Sequence, residues 1–223
     1  MRKLFVLILL VACSRETPEA RVQPPKQKPV VLPSPVEKIE HGAFVVTHDG
    51  KALYREQFAR SAHRLECDIA ASGGNDRVLQ AIDLNDDASV RTSTIHVLGG
   101  AGRTESMSFV MQGTQAVVRV VGMNGVPVDK VIEVPQGTIP NPVPESLAIL
   151  EQVIRRAKAI GGPSVRVPVL PGTLRAQWVF VETTGPDTVK VRSASATIEA
   201  RIDAEGRLLS ASEPNQKIAI QRE

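Results

Sequence analysis

The sequence predicts a mainly β fold: a large curved antiparallel sheet or half-barrel of about twelve strands, with one amphipathic helix packed on it. Three observations predict it. From Gly42 onward, apolar residues recur with a period of two. Turn pairs such as Asp49-Gly50 and Asn124-Gly125 fall between those runs, where a tight hairpin needs them. One segment, Pro144–Ile160, instead repeats its apolar residues with helical spacing.

Taken in order, Ala43–Thr47, Asp49-Gly50 and Leu53–Phe58 read as strand, turn and strand. Arg64–Ala70, Arg77–Leu84, Ser89–Leu98, Glu105–Gln112 and Gln115–Val121 continue the series, and Asn124-Gly125 leads into Val126–Val134. The last third supplies Val165–Leu170, Leu174–Glu182, Thr188–Arg192, Thr197–Asp203, Leu208–Glu213 and Lys217–Gln221, with a reversal at Ala204-Glu205-Gly206. Connections this short build a meander, because parallel crossovers need a dozen or more residues. In the helical segment, Leu147, Ile149, Leu150, Val153, Ile154, Ala157 and Ile160 fall within about 160° of arc. Glu151, Gln152, Arg155, Arg156 and Lys158 make up the remaining, solvent-side face in this reading. Pro144 suits the first turn, and Gly161-Gly162-Pro163 suits the end.

The N-terminus reads as an export signal. Arg2 and Lys3 precede the apolar run Leu4–Ala12, which is too short for a bilayer span of ~20 residues. Leu10-Val11-Ala12-Cys13 resembles the lipobox of bacterial lipoproteins. That resemblance implies cleavage after residue 12, acylation of Cys13 and attachment to a membrane through the lipid. Ser14 stands where Asp would resemble the inner-membrane retention signal, so the resemblance implies the periplasmic face of the outer membrane in preference to the inner. Residues 13–38 contain Pro18, Pro24, Pro25, Pro29, Pro33 and Pro35 and read as an extended tether, leaving 39–223 as a single β-rich domain. Losing Arg2 and Lys3 lowers the formal charge of +3 by two, which leaves a nearly neutral chain with no electrostatic case for nucleic acid. The 3% aromatic content also argues against nucleic acid, because single-stranded sites stack bases on rings.

Motifs for catalysis are scarce. His41, His48, His63 and His96 show none of the spacings that mark zinc sites, and no metal or cofactor is expected. Asp83-x-Asn85-x-Asp87 resembles the opening of a calcium loop, but Ala88 and Thr94 stand where Gly and Glu are needed, so an acidic hairpin loop is expected. Gly99-Gly100-Ala101-Gly102 is followed by a β-like run and not by a helix, which reads as a flexible hairpin loop. Cys67 alternates with Leu65 and Ile69 and is expected to be a buried thiol. Met107, Phe109 and Met111 share one strand face, read as core filling.

Lipidated Cys13, the strand series and the helix Pro144–Ile160 together are similar in outline to the half-barrel carriers of the LolA and LolB families, which move lipoproteins through the periplasm. That resemblance implies a non-catalytic domain binding a hydrophobic ligand such as an acyl chain, lipid or lipoprotein. Val117, Val121, Leu150, Ile154, Trp178 and Phe180 are the candidate lining residues. The alternative is a structural or assembly lipoprotein that docks onto an envelope protein complex through a sheet edge or an exposed strand face. Which holds depends on whether the helix covers a cavity or a packed core.

Overall fold

The computed structural model describes residues 37–72, 76–99, 103–143 and 146–223. The expected signal peptide, Cys13 and most of the tether lie outside the described residues, as do residues 100–102 of the glycine-rich loop.

Among the described residues, fifteen strands form one sheet. The first eight are β1 (Glu40–His48), β2 (Lys51–Arg60), β3 (Arg64–Ala71), β4 (Arg77–Leu84), β5 (Val90–Gly99), β6 (Arg103–Gln112), β7 (Gln115–Val121) and β8 (Pro127–Glu133). The remainder are β9 (Ile139–Asn141), β10 (Ser164–Pro171), β11 (Gln177–Gly185), β12 (Thr188–Arg192), β13 (Thr197–Ile202), β14 (Leu208–Glu213) and β15 (Ile218–Arg222). The spatial order is β8-β7-β6-β5-β4-β3-β2-β1-β15-β14-β13-β12-β11-β10-β9. Two meanders are thus joined where the first strand pairs with the last, for example Val46 opposite Ile220. Every ladder is antiparallel except the short parallel one between β9 and β10. The runs named from the sequence each correspond to a strand, so the round figure of twelve was low; the one strand not anticipated is three-residue β9, which gives no alternation to read.

No ladder joins β8 to β9, so the sheet is open, and it curls until Leu170 of β10 packs with Ile95, Phe109, Ala116 and Val118 of β5–β7. Met107 and Met111 join Phe109 in this cluster as core filling. The turn between β1 and β2 shows how the curl is built from local chemistry. Asp49 (φ 49°) and Gly50 (φ 75°) both occupy the left-handed region, the two-residue geometry that matches strand twist.

The helix α1 (Leu147–Ile160) is the single α-helix among the described residues. It begins three residues later than Pro144. Ser146 is its N-cap and accepts a hydrogen bond from the Ile149 N–H. At the other end Gly161 takes φ 81° and its N–H returns to the Ala157 carbonyl. The inner helix face meets residues from both meanders, including Phe44, Phe58, Leu65, Ile82, Val167, Val181, Val191 and Leu208, in one continuous core. Ile149 and Ile154 are fully buried there. One expectation is corrected: Glu151 and Gln152, assigned to the solvent face, are buried at 1% and 0% exposure. The concave sheet wraps so far around the helix that its flanks, and not only its apolar stripe, are enclosed.

Candidate functional site

Enclosing those flanks requires polar partners, and the sheet provides them in two groups. Glu56 of β2 is completely buried and faces the start of α1. Its carboxylate accepts from Ser146 Oγ at 2.8 Å, from the Leu147 N–H at 2.5 Å and from the Ala148 N–H at 3.2 Å. It therefore serves the helix N–H groups that have no intrahelical acceptor. Burial pushes the Glu56 pKa up against these hydrogen bonds and a further one from the Cys67 thiol. Cys67 is itself buried, as expected, and burial together with the neighbouring Glu56 charge pushes its thiol well above the usual range.

The second group is centred on Glu151. Arg155 donates to it at 3.1 Å, Arg222 at 2.6 Å and the Leu208 N–H at 2.9 Å. Arg60 Nε lies 3.2 Å from Glu151 Oε1 as an ion pair, without hydrogen-bond alignment. Arg60 also donates to Gln152 Oε1 at 2.6 Å. Arg222 continues outward to Glu40, and its guanidinium lies over the rings of Phe58 at 4.7 Å and Phe44 at 5.5 Å. Gln152 Nε2 reaches the Ala88 carbonyl at 2.7 Å, which holds Ala88 in its left-handed conformation (φ 61°). Because both groups face the packed interior, they are read as fastenings between helix and sheet.

Three surface features bear on function, apart from a hollow of about 600 Å³ along the acidic loop lined by His63, Asp86, Asp87 and Arg91. The first is a shallow groove of about 420 Å³ on the outer sheet face, lined among others by His41, Gln57, Glu66, Asp68, Thr94 and His96. Its carboxylates are engaged by flanking arginines, Glu66 by Arg64 and Asp68 by Arg77. The second is a cleft of about 530 Å³ beside the Arg60 end of β2, lined by Lys38, Glu40, His41, Arg60, Ser61, Ala62, Arg155 and Arg207. The third is an apolar strip on β6–β8. Val110 pairs with Val117, and Val117 with Val131, so three valines sit side by side across three strands of the outer face. Val110 and Val131 are 41% and 64% exposed. Val121 opposite Pro127 repeats the pattern four residues along, beyond the Arg119–Asp129 ion pair at 3.0 Å. Met123 and Val126 extend it into the connecting loop, also exposed.

The six expected lining residues do not form one surface. Ile154 and Leu150 pack into the core around the helix. Val117 and Val121 alternate with inward-facing Ala116, Val118 and Val120, and so lie on the outer face. Trp178 and Phe180 alternate with inward Val179 and Val181 and are exposed on the outside of β11, with Arg166 stacked 5.2 Å from the Trp178 ring centre. Sequence reasoning placed all six by apolarity, and alternation alone does not say which of two faces is the concave one. In the acidic loop, Asp87 accepts from the Ser89 N–H and hydroxyl and pairs with Arg156 at 2.9 Å, while Asp83 accepts from Thr92 at 2.7 Å. No cluster of three or more metal-ligating side chains occurs among the described residues.

No family model and no curated protein matches the chain. Among solved structures, it is similar to a DUF1089 family protein from Pseudomonas aeruginosa, with a TM-score of 0.51 at 12% identity over 72% of this chain and 89% of that one. It is also similar to a β-barrel-like protein of the domain of unknown function DUF1849 from Brucella abortus, with a TM-score of 0.43 at 11% identity over 84% and 94% of the two chains. The first likeness concerns the fold alone.

Proposed function

We propose that this chain is a lipoprotein held through Cys13 on the periplasmic side of the outer membrane, and that its β domain is a non-catalytic module docking onto an envelope protein. The fold suits a ligand-binding or a structural role. What favours docking is the valine strip on β6–β8, because it ends at a sheet edge. Among the described residues β8 pairs with β7 alone, which leaves the other side of its backbone to another strand. Val131 is exposed on its outer face and Val128 on its inner face. An incoming extended segment would gain ladder hydrogen bonds and apolar contacts on both sides. The acyl-carrier reading needs a cavity beneath α1, and the helix instead packs against the sheet through fully buried isoleucines.

A photo-crosslinking residue at position 131 in the intact envelope tests this, with position 199 on the outer face of β13 as control. One partner protein captured at 131, absent at 199 and lost with Val128→Asp, is the expected result. Equal labelling at both positions would count against docking, as would acyl lipid co-purifying stoichiometrically in native mass spectrometry. For the anchor, Cys13→Ala is expected to move the protein from the membrane to the soluble fraction, and unchanged attachment would contradict it.

A further inference from the structure

The cleft beside the Arg60 end of β2 has a charge distribution that the helix fastenings do not use up. Four basic side chains line it, Lys38, Arg60, Arg155 and Arg207, against the single carboxylate of Glu40. They come from four places in the chain: the residues preceding β1, the end of β2, α1 and the turn between β13 and β14. Glu40 is committed to Arg222, and reaches Arg155 and Arg207 only at 4.0 and 3.9 Å. Arg155 uses its Nε on Glu151, and Arg207 is held from behind by Asp203 and Glu205. Both guanidinium groups are thereby fixed in direction: Arg155 keeps its outer nitrogens, while Arg207 keeps Nη1, its Nη2 donating to Glu205 at 3.1 Å. Arg60 forms the buried floor at 6% exposure and supplies charge and no free donor, since its Nε lies in the ion pair with Glu151 and its outer nitrogens donate to Gln152 and the Ala148 carbonyl. Lys38 has no charged partner among the described residues. Side chains braced by carboxylates behind them, with cationic ends converging on one hollow, are arranged to hold an anion. Donors approaching from several elements suit a tetrahedral oxyanion better than a planar carboxylate, which one guanidinium fork satisfies.

We infer that this cleft is a binding site for a phosphate group, carried either by a soluble phosphate compound or by the headgroup of an anionic lipid. The two sources share the chemistry and differ in geometry of access. A headgroup would be met at a membrane surface, and a soluble phosphate compound would reach the cleft by diffusion.

The test uses the mature chain, residues 13–223, carrying Cys13→Ala, which lacks both the apolar export signal and the acyl anchor, at constant ionic strength. Inorganic phosphate is titrated while arginine side-chain NMR signals are followed. In parallel, the protein is floated with phosphatidylcholine vesicles with and without phosphatidylglycerol. The comparison variant is Lys38→Gln with Arg207→Gln. Saturable shifts of Arg155 and Arg207 with phosphate in the parent, with the Arg155 shift needing about tenfold more phosphate or more in the variant, support a soluble phosphate ligand. Flotation only with phosphatidylglycerol vesicles, lost in the variant, supports a headgroup. Absence of both, or binding that the variant leaves undiminished, overturns the inference. If the double variant melts at a lower temperature than the parent, Lys38→Gln alone is read in its place, since Lys38 braces nothing among the described residues.

Discussion

Glu151 is the residue on which the attachment of helix to sheet depends, and replacing it by Gln tests that directly. The carboxylate is 1% exposed and is shared by Arg60, Arg155, Arg222 and the Leu208 N–H. Gln keeps the shape and one acceptor oxygen, but removes the negative charge and turns an NH2 group toward the arginines. Arg60 and Arg222, whose side chains are 6% and 14% exposed, would then be enclosed with only part of their compensation. Breaking one side of a buried ion pair costs about 3–5 kcal/mol, because the remaining charge keeps its desolvation penalty. For a domain of this size each kcal/mol corresponds to roughly 2–4 °C, so a fall in Tm on the order of 10 °C is expected. Urea unfolding of the parent and of Glu151→Gln, followed by far-UV circular dichroism, measures the loss as a change in midpoint at constant slope. Arg60→Gln and the double variant complete a cycle whose coupling should be about 2 kcal/mol. A loss below about 1 kcal/mol, or strict additivity, would show that solvent reaches this cluster and that the burial argument is wrong.

Three further outcomes follow from the same core. The Glu56 pKa is raised by burial, so the native state keeps a proton where the unfolded chain has lost it; its contribution to stability is complete below the unfolded-state value and declines as pH rises through the native one. Asp83 and Asp87 run the other way, lowered chiefly by the hydroxyls of Thr92 and Ser89, and their contributions fade as the pH falls through their native values. Urea midpoints across pH should therefore fall less steeply with rising pH in Glu56→Gln than in the parent, and parallel profiles would refute the assignment. Cys67 in the Cys13→Ala chain should not react with a disulfide reagent while folded and should release one thiol equivalent on unfolding; rapid native labelling would contradict its burial. Gly42→Ala should cost about 1–3 kcal/mol in a urea melt, because the new Cβ would stand 2.6 Å from Phe58 Cζ, a ring held between Phe44 and Arg222. A neutral result would mean that the ring can shift.

Much of this architecture was readable in the chain, and what was readable shares one physical character. Strands and turns are decided by neighbours in sequence, so the hairpin at Asp49-Gly50, the alternation of Cys67 with Leu65 and the helix stop at Gly161 all came out as expected. The start of the helix did not, because Ser146 is a better cap than any residue before it, and the carboxylate that completes that cap comes from Glu56, ninety residues earlier. Similarly, Glu151 and Gln152 satisfy every local criterion for a solvent-facing position. Their partners Arg60, Leu208, Arg222 and Ala88 lie on other strands and loops, and only the closing of the sheet brings them together.

The candidate lining residues failed for a related reason, and the failure redirects the functional reading. A period of two separates two faces without labelling them, so Trp178 and Phe180 looked equivalent to core residues until the curl assigned Val179 and Val181 to the concave side. Val117 and Val121 were chosen for an interior and belong to an exterior strip instead. An aliphatic row that is exposed on β6 and β8 and half-buried on β7 leaves apolar area open to water, as an aliphatic core does not, which supports the docking proposed above. Polar devices that commonly guard an edge are present only in part on β8: Pro127, Asp129 and Lys130 stand beside unshielded Val128 and Val131. That mixture fits an edge kept from pairing with copies of itself and left open to one complementary strand.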